Sequence, residues 1–374
     1  MFDNDNKLSD KLTMFQHGIL NYQVLDGMAD WVRVVSKDGI VIYANKAMKR
    51  DLGENIIGSH CYKILNKDDR CIHCITLKSI FSGETFQKEE IVNGRYYSVK
   101  SSPVRNTDGD IVAAVEVFRD VTRERKLELE LLERNKLISE DLKFAKKVQE
   151  KILPRQGMFE NLNIEYIYKA SEMLSGDMFD VFHIDDENIG IYISDVAGHG
   201  IAASMLTMFI KQMMRDIKDE IKTPSLALLE LHKRFLAFGL EADKYFTIFY
   251  GVYNRTKNTF SYSNAGHNCY PIKFNDKDVN PLKIKGYPIT VLFDQMNYEE
   301  KIVKLNYGDK ILLYTDGITE AMDYNGKQFG IEGVLETVRN HPNNLLQEIE
   351  EKFIVHSWGE QKDDYALVLV EVTK

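Results

Sequence analysis

Short apolar runs alternate with polar turns over residues 21–122, and this pattern predicts small strands separated by helices. The stretch "WVRVVSKDGIVIYAN" predicts a strand, a tight Asp-Gly turn and a second strand. The stretch "RYYSVKSSPVRNTDGDIVAAVEVFRDVT" predicts two further strands around another Asp-Gly turn. Helical patterns lie between these strands, near Lys46–Leu52 and Ile75–Phe81. The first third of the chain is therefore expected to be a small α+β domain.

Residues 121–153 contain neither Gly nor Pro, are rich in Glu, Lys, Arg and Leu, and are followed by Pro154. Apolar residues recur there at steps of seven, at Leu131, Ile138, Ala145 and Ile152. Arg134 and Asp141 interrupt this apolar seam with polar side chains. The pattern predicts one long helix between two folded regions, either paired in a coiled coil or lying alone on a domain as an amphipathic helix.

Beyond Pro154, four apolar strand patterns are each flanked by a turn that contains aspartate. These aspartates are Asp177, Asp180, Asp195, Asp316, Asp363 and Asp364. Any one of them could simply accept hydrogen bonds from local backbone donors. If the strands belong to one sheet system, the carboxylates converge at one rim, where two like charges ~4 Å apart cost about 4 kcal/mol at an effective dielectric constant near 20. Such a cluster needs cations, and oxygen ligands favour Mg²⁺ or Mn²⁺ over Zn²⁺.

A chain of 374 residues is too long for one ordinary core, so two domains and a connector are expected. The net charge of −9 at pH 7 argues against a nucleic-acid-binding surface and suits metal cations better. No apolar run approaches the ~20 residues of a membrane span, and the first residues, "MFDNDNKLSDK", show no apolar signal region. These features predict a cytoplasmic protein that binds neither nucleic acid nor membrane.

Three of the four cysteines, Cys61, Cys71 and Cys74, stand close together in the sequence, beside His60 and His73. The two-residue gap between Cys71 and Cys74 allows two thiolates to hold one metal ion, and Cys61 with a histidine could complete a tetrahedron around Zn or Fe. The same spacing also occurs in redox pairs, and buried cysteines often only pack. Four cysteines in a chain of this length do not indicate a disulfide framework.

The motifs "ANKAM", "GSHCYKIL" and "VFRDVTRER", together with the order of the elements, resemble a PAS sensor domain over about one hundred residues. The most specific of them is the "RDVT" that stands directly before the long helix. The resemblance implies a five-stranded antiparallel sheet with helices on one side, which often encloses a ligand. It does not identify the ligand or signal.

The motifs "LSGDMFDV", "SDVAGHGIAASML", "NAGHNCYPI", "LLYTDGITEA" and "DDYALVLV" resemble, in this order, those of the metal-dependent PPM protein phosphatases. They are most similar to the bacterial branch of sporulation-stage-II-E and stress-regulator phosphatases, for which the preceding "AKKVQEKILP" is also typical. The resemblance implies an α-β-β-α sandwich with two Mn²⁺ or Mg²⁺ ions between its sheets. It also implies that water activated at those ions hydrolyses phosphoserine or phosphothreonine in a small partner protein.

The resemblance also implies roles for single residues of these motifs. Asp195 resembles the carboxylate that bridges both ions, with the backbone carbonyl of Val196 as a further ligand. Asp177 resembles a ligand or water-holding residue of one ion, and Asp316 and Asp363 resemble ligands of the other. All of the carboxylates that the motifs require are present, so the resemblance implies an active enzyme.

Four other motif residues have less definite roles. Asp364 is the second choice after Asp363 as a metal ligand, and Asp180 is expected to be structural. His199 is either a general acid or a residue that starts a helix, since its spacing from Asp195 differs from that in the eukaryotic phosphatases of this family. His267 is expected to be a turn residue, with contact to the site as the alternative.

The predicted organisation is an extension over residues 1–20, a PAS domain over 21–122, a helical linker over 123–153 and a phosphatase domain over 154–374. The predicted function is dephosphorylation of an anti-sigma-factor antagonist by a homodimer whose activity the PAS domain regulates. The alternative is a catalytically silent PPM fold that serves as a binding module dimerised by a PAS domain.

Overall fold

A computed structural model describes residues 23–340, 344–359 and 363–374. The chain divides into two compact units, Met1–Leu137 and Ile138–Lys374. The extension predicted over residues 1–20 lies outside the described residues. The other predicted domain boundaries stay predictions, because the division between the units falls inside a helix.

The first unit contains one five-stranded antiparallel sheet. Its strands, in chain order, are β1 (Trp31–Ser36), β2 (Val41–Ala44), β3 (Phe86–Val92), β4 (Arg95–Arg105) and β5 (Ile111–Asp120). They lie in the order β2-β1-β5-β4-β3, with all neighbours antiparallel. The predicted hairpins β1–β2 and β4–β5 are confirmed, whereas β3 was missed in the sequence.

Two helices of the first unit contribute to the core of the sheet. They are α1 (Lys46–Leu52) and α2 (Ile75–Ser82), as the sequence predicts. Asn45 starts α1 by accepting a hydrogen bond from the Met48 amide. Residues of both helices and of the sheet form one apolar core, which includes Trp31, Phe118 and Ile75. This arrangement confirms the predicted α+β class for the first unit.

A single helix, α3 (Thr122–Ile152), follows the first sheet directly. Its bounds differ by one residue at each end from the predicted 123–153. Nearly all of its side chains are exposed or partly exposed in the single chain, including Leu131 and Ile138 of the predicted seam. Gln149 is the buried residue of this helix. The helix is confirmed, and its pairing in a coiled coil stays a prediction.

The second unit contains two six-stranded sheets. The strands are β6 (Gly157–Phe159), β7 (Leu162–Lys169), β8 (Asp177–His183), β9 (Asn188–Val196), β10 (Tyr245–Asn254), β11 (Thr259–Ala265), β12 (Ile272–Phe274), β13 (Val279–Pro281), β14 (Ile289–Thr290), β15 (Lys301–Lys304), β16 (Lys310–Tyr314) and β17 (Tyr365–Val372). In sheet one the order is β15-β11-β10-β9-β8, with β14 paired to β10, and in sheet two it is β13-β12-β16-β17-β7-β6.

The helices of the second unit cover the outer faces of the two sheets. They are α4 (Gly200–Ile217), α5 (Pro224–Phe238), α6 (Asp316–Thr319), α7 (Gly330–Asn340) and α8 (Leu345–His356). One apolar core joins sheet one to α4 and α5, and another joins sheet two to α7 and α8. A third core, with Phe179, Ile191 and Val368, lies between the sheets. These four layers are the α-β-β-α sandwich that the resemblance implies.

Candidate metal centre

Two of the predicted ligands lie side by side at one end of sheet one. Asp177 begins β8 and stands opposite Asp195 of β9 in an antiparallel pair. Directly opposed residues of such a pair have Cα atoms about 4.5–5.5 Å apart, so the two carboxylates share one small region. Asp177 is buried, with 2% of its surface exposed. Its position inside a strand fixes the backbone from which the carboxylate projects.

The other predicted ligands belong to sheet two. Asp316 follows β16 and begins α6, and Asp363 precedes β17. The hydroxyl of Thr315 donates a hydrogen bond of 2.8 Å to Oδ2 of Asp177, and the same hydroxyl accepts one of 2.9 Å from the Ala366 amide. Thr315 therefore connects the ends of the two sheets. The sequence placed these aspartates at strand ends, and the structure adds that they come from two sheets facing each other.

Two glycines of the motifs allow the loops to approach each other closely. A Cβ on Gly176 would lie 3.0–3.1 Å from the carbonyl oxygens of Gly198 and Val196, and a Cβ on Gly317 would lie 1.9 Å from the carbonyl oxygen of Asp364. A Cβ atom does not fit at 1.9 Å, and at 3.0–3.1 Å the neighbouring backbone would have to shift slightly. The carbonyl of Val196 thus lies beside the loop that carries Asp177, as a shared site requires.

The carboxylates of this region change each other's acidity. Burial, and next the charge of Asp195, raise the pKa of Asp177 well above its ordinary value. Burial and the charges of Asp316 and Asp363 do the same for Asp195. Burial and Asp363 raise the pKa of Asp316 to about 6. Partial desolvation also raises the pKa of Asp363, although its side chain reaches solvent, and the Asp364 and Glu320 carboxylates add to this effect. The four predicted ligands are therefore electrostatic neighbours.

Asp364 has a different environment from Asp363. Its Oδ1 accepts hydrogen bonds from the amide and the hydroxyl of Ser171, at 2.7 and 2.9 Å, and its Oδ2 accepts one of 2.6 Å from the Gly176 amide. Asp364 is buried, whereas Asp363 is exposed. The carboxylate of Asp364 thus holds the loop that leads to Asp177, as a strand-end aspartate does when it accepts hydrogen bonds from nearby backbone amides.

Glu320 is a member of this acidic group that the sequence reasoning missed. It lies one turn after Asp316, and its charge raises the pKa of Asp195, Asp316 and Asp363. Its spacing of four residues from Asp316 in "TDGITE" was the available signal, because residues i and i+4 share one face of a helix.

The chemistry of this donor set fits divalent cations. Carboxylates that raise each other's pKa are stabilised in the ionised form by a positive ion between them, and their oxygens suit Mg²⁺ or Mn²⁺. Among the residues that the structure describes, no group of three or more His, Cys, Asp or Glu side chains is placed so that it could hold a metal ion. The carboxylates thus lie near enough to raise each other's pKa, without being arranged as ligands of one ion in this structure.

The two motif histidines have separate environments. His199 immediately precedes α4, is largely exposed, and its Nδ1 lies 3.1 Å from Glu172 Oε1. His267 is buried, with Nε2 3.0 Å from the carbonyl oxygen of Tyr314 and Nδ1 3.1 Å from the Thr247 hydroxyl. His199 therefore stands where a helix begins, and His267 links the two sheets. Asp180 is buried in ion pairs with Lys211 and Arg215 of α4.

The cysteine group of the first unit lies apart from these residues in the sequence. Cys61, Cys71 and Cys74 line one cavity together with the buried ion pair of Arg33 and Glu116. All three cysteines and both neighbouring histidines are described, and they form no metal-binding group. The structure therefore gives no support to the predicted Zn or Fe site.

Comparisons with known proteins agree with this geometry. Residues 185–373 match the family described as stage II sporulation protein E, and residues 25–126 match a PAS fold. Phosphoserine phosphatase RsbP of Bacillus subtilis is 27% identical over 62% of this chain and 58% of its own length. Phosphoserine phosphatase RsbU of the same organism is 32% identical over 50% of this chain and 56% of its own length. The matched part of the chain thus spans less than two thirds of the length of each of these relatives.

One solved structure shows the same fold as the second unit. The SiaA-PP2C domain of Pseudomonas aeruginosa superimposes with a TM-score of 0.54 at 22% identity, over 64% of this chain and 99% of that domain. Asp195, Asp316 and Asp363 lie within the residues matched by the sporulation family, and Asp177 lies just before them. Because that match covers half of the chain, the family is established. The chain belongs to the stage II sporulation protein E family and carries an N-terminal PAS domain.

Proposed function

We propose that this chain is a metal-dependent protein-serine/threonine phosphatase whose activity its PAS domain regulates. The observation that carries this proposal is the proximity of acidic side chains from both sheets. Asp177 and Asp195 are paired in one sheet, and Asp316 and Asp363, which flank strands of the other, lie close enough to raise the pKa of Asp195. The family membership and the two phosphoserine phosphatases among the relatives support it.

The carboxylates of Asp177, Asp195, Asp316 and Asp363 and the carbonyl of Val196 would hold two Mn²⁺ or Mg²⁺ ions. When bound, such ions supply an acidified water as the nucleophile and neutralise the phosphoryl oxygens. Two neighbouring side chains keep Asp177 in place. The hydroxyl of Thr315 donates a hydrogen bond to its carboxylate, and the carboxylate of Asp364 accepts one from the amide of Gly176, the residue before Asp177. We give Asp364 this positioning role rather than that of a ligand.

We infer that the substrate is phosphoserine in a small regulatory protein, an anti-sigma-factor antagonist, in a partner-switching pathway. The motif resemblance and the names of the two relatives support this class of substrate. The exposed leucines of α3 support a homodimer, since an apolar stripe on a helix favours pairing with another copy. The PAS domain would receive a ligand or signal of unidentified chemistry. The complete carboxylate set argues against a catalytically silent module.

The proposal predicts Mn²⁺-dependent release of phosphate from p-nitrophenyl phosphate by the full chain. Asp195→Asn and Asp316→Asn each remove a ligand charge, and turnover should fall by at least about 10³-fold. Asp276→Asn, on an exposed loop of the same unit, should retain wild-type turnover and is the matched control. Near wild-type turnover of Asp195→Asn at saturating Mn²⁺ would refute the assignment.

A further inference from the structure

Three of the four cysteines of the chain line one small cavity in the first unit. Cys61, Cys71 and Cys74 share it with apolar side chains such as Phe118. The cavity has a volume of about 30 Å³, which is room for a water molecule or a molecule slightly larger than water. Hydrogen peroxide is a molecule of this size. The structure therefore places several thiols where a small oxidant can reach them.

Cys71 and Cys74 stand at the two ends of one tight turn, which is formed by residues 72 and 73. The Cα atoms at the ends of such a turn lie less than about 7 Å apart. A disulfide joins residues whose Cα atoms are about 4.4–6.8 Å apart. The backbone thus holds these two thiols within reach of a disulfide without a large movement.

Each of these two sulfur atoms has a donor beside it. Sγ of Cys74 accepts a hydrogen bond of 3.5 Å from the amide of Leu77 and so caps α2. Nζ of Lys67 lies 3.9 Å from Sγ of Cys71. Only a sulfur that has lost its proton attacks an oxidant. Both sulfurs therefore have a donor in place when they give up their protons.

The other two cysteines are less suited to react. Burial raises the pKa of the Cys61 thiol, and burial also raises the pKa of the Cys269 thiol in the second unit. A raised pKa leaves less of the reactive thiolate at neutral pH. Cys61 and Cys269 are therefore controls that the chain itself supplies.

We propose that Cys71 and Cys74 form a redox modification site, at which a small peroxide joins the two sulfurs in a disulfide. Cys71, beside the ammonium group of Lys67, attacks one oxygen of hydrogen peroxide, so that an S–O bond forms and the O–O bond breaks. The leaving oxygen takes up the proton released by Cys71 and departs as water. Sγ of Cys74 then attacks the sulfenic acid, the S–S bond forms, and the hydroxyl group departs with the Cys74 proton as a second water. The two sulfurs lose two electrons, and the peroxide gains them.

This inference goes beyond the proposed phosphatase and does not depend on it. Cys74 caps α2, and Thr76 on the first turn of that helix donates a hydrogen bond to Glu116, the buried partner of Arg33. Oxidation of Cys74 therefore acts at the start of a helix that is tied to the core of the first unit. It gives the PAS domain a chemical input of its own.

The test treats the metal-free full chain with a small excess of hydrogen peroxide, blocks the remaining thiols with iodoacetamide and follows tryptic peptides by mass spectrometry. Trypsin places the cysteines on three peptides, 51–63, 71–78 and 258–273. Peptide 71–78 carries both Cys71 and Cys74, and the other two carry Cys61 and Cys269. We expect peptide 71–78 to lose its free thiols at least about tenfold faster than the other two, and to become lighter by two hydrogen atoms. Dithiothreitol should restore both thiols.

Single substitutions test the order of the two steps. Cys71→Ser and Cys74→Ser should each abolish the disulfide, and serine at residue 74 remains a suitable helix cap. In Cys74→Ser the sulfenic acid at Cys71 has no second thiol to react with, so dimedone should trap it there. Cys61→Ser is the matched control and should form the disulfide at the wild-type rate.

The wild-type measurement decides the proposal even if a variant does not fold. Equal rates of thiol loss in the three peptides, oxidation of peptide 71–78 without a disulfide, or a disulfide that joins it to peptide 51–63 would overturn the assignment. None of these outcomes bears on the phosphatase proposal, because no phosphate release is measured.

Discussion

His267 joins the two sheets beneath the candidate ligands. Its Nε2 faces the carbonyl oxygen of Tyr314 and must donate, so its Nδ1 accepts from the hydroxyl of Thr247. Thr247 stands opposite Asp195 in the sheet, and Tyr314 lies two residues before Asp316. A neutral imidazole therefore holds together the backbone under carboxylates from both sheets.

This geometry predicts a pH dependence of stability. Burial lowers the pKa of His267 from 6.5 to about 4, so between these values the unfolded chain binds a proton that the folded chain does not. The stability contribution of the neutral side chain is fully present above about pH 6.5 and is lost as the pH falls towards 4. The contribution of His267 to the free energy of unfolding should fall by about 3 kcal/mol over this range. It is measured as the difference in free energy of urea unfolding between wild type and His267→Gln, in EDTA, from pH 7 to pH 4.

The difference between the two proteins removes the contribution of the aspartates, which both share. We expect the stability advantage of wild type over His267→Gln to shrink as the pH falls. An advantage that stays constant across this range would mean that His267 does not remain neutral in the fold.

Sequence patterns indicated the candidate acidic ligands but not the residues that contact them. Each of the four candidate ligands follows or precedes an apolar strand, and this local pattern can be recognised in a single sequence. They are Asp177, Asp195, Asp316 and Asp363. The bonds of Thr315 to Asp177 and of Gln149 to Ser175 join segments that are distant in the sequence. No local pattern encodes such pairs, because they depend on how the two sheets and α3 are packed.

The secondary structure was predicted best where turns and apolar runs are both clear. The hairpins β1–β2 and β4–β5 have Asp-Gly turns, whereas β3 has the sequence "FQKEEIV" with charged residues at its centre. β3 lies at the edge of its sheet, where one side of a strand faces water and charged residues discourage pairing with other chains. That edge position explains why its apolar signal is weak.

Helix α3 carries an apolar stripe that the described part of the chain, residues 23–340, 344–359 and 363–374, leaves exposed. Leu131 and Ile138 are 60% and 55% exposed. Arg134, which interrupts the seam, pairs with Glu130 on the same helix at 2.8 Å, and exposed pairs of this kind contribute little stability. Replacing Arg134 should therefore change the stability of the single chain little.

The coiled-coil prediction is tested by Arg134→Leu combined with Asp141→Leu. Both positions fall in the seam, so the double variant should dimerise at least about tenfold more tightly, measured by sedimentation over a dilution series. It should also lock phosphatase activity either high or low. The matched control is Lys136→Leu with Lys143→Leu, which adds two leucines away from the seam. Equal dimer affinity of the two double variants would mean that α3 does not pair through this face.

The protein as a whole joins a PAS fold to a two-sheet phosphatase fold through one continuous helix. The division between its compact units falls within α3, after Leu137, and Gln149 of the same helix contacts the Asp177 loop. A regulated enzyme needs a connecting element that favours different arrangements in its two states. The polar interruptions of the seam at Arg134 and Asp141 suit such a shift.

Among the described residues, none of the helices is long and apolar enough to cross a membrane.

The central claim is that carboxylates from both sheets hold divalent cations together. It is tested most directly by calorimetric titration of Mn²⁺ into the metal-free full chain, with Asp195→Asn and the exposed control Asp276→Asn alongside. We expect two ions to bind to wild type and to the control, and Asp195→Asn to lose at least one of them. Its melting temperature in EDTA should not fall below that of wild type, because one of several repelling carboxylates has been removed. Equal Mn²⁺ binding by wild type and Asp195→Asn, or no binding by wild type, would contradict this account.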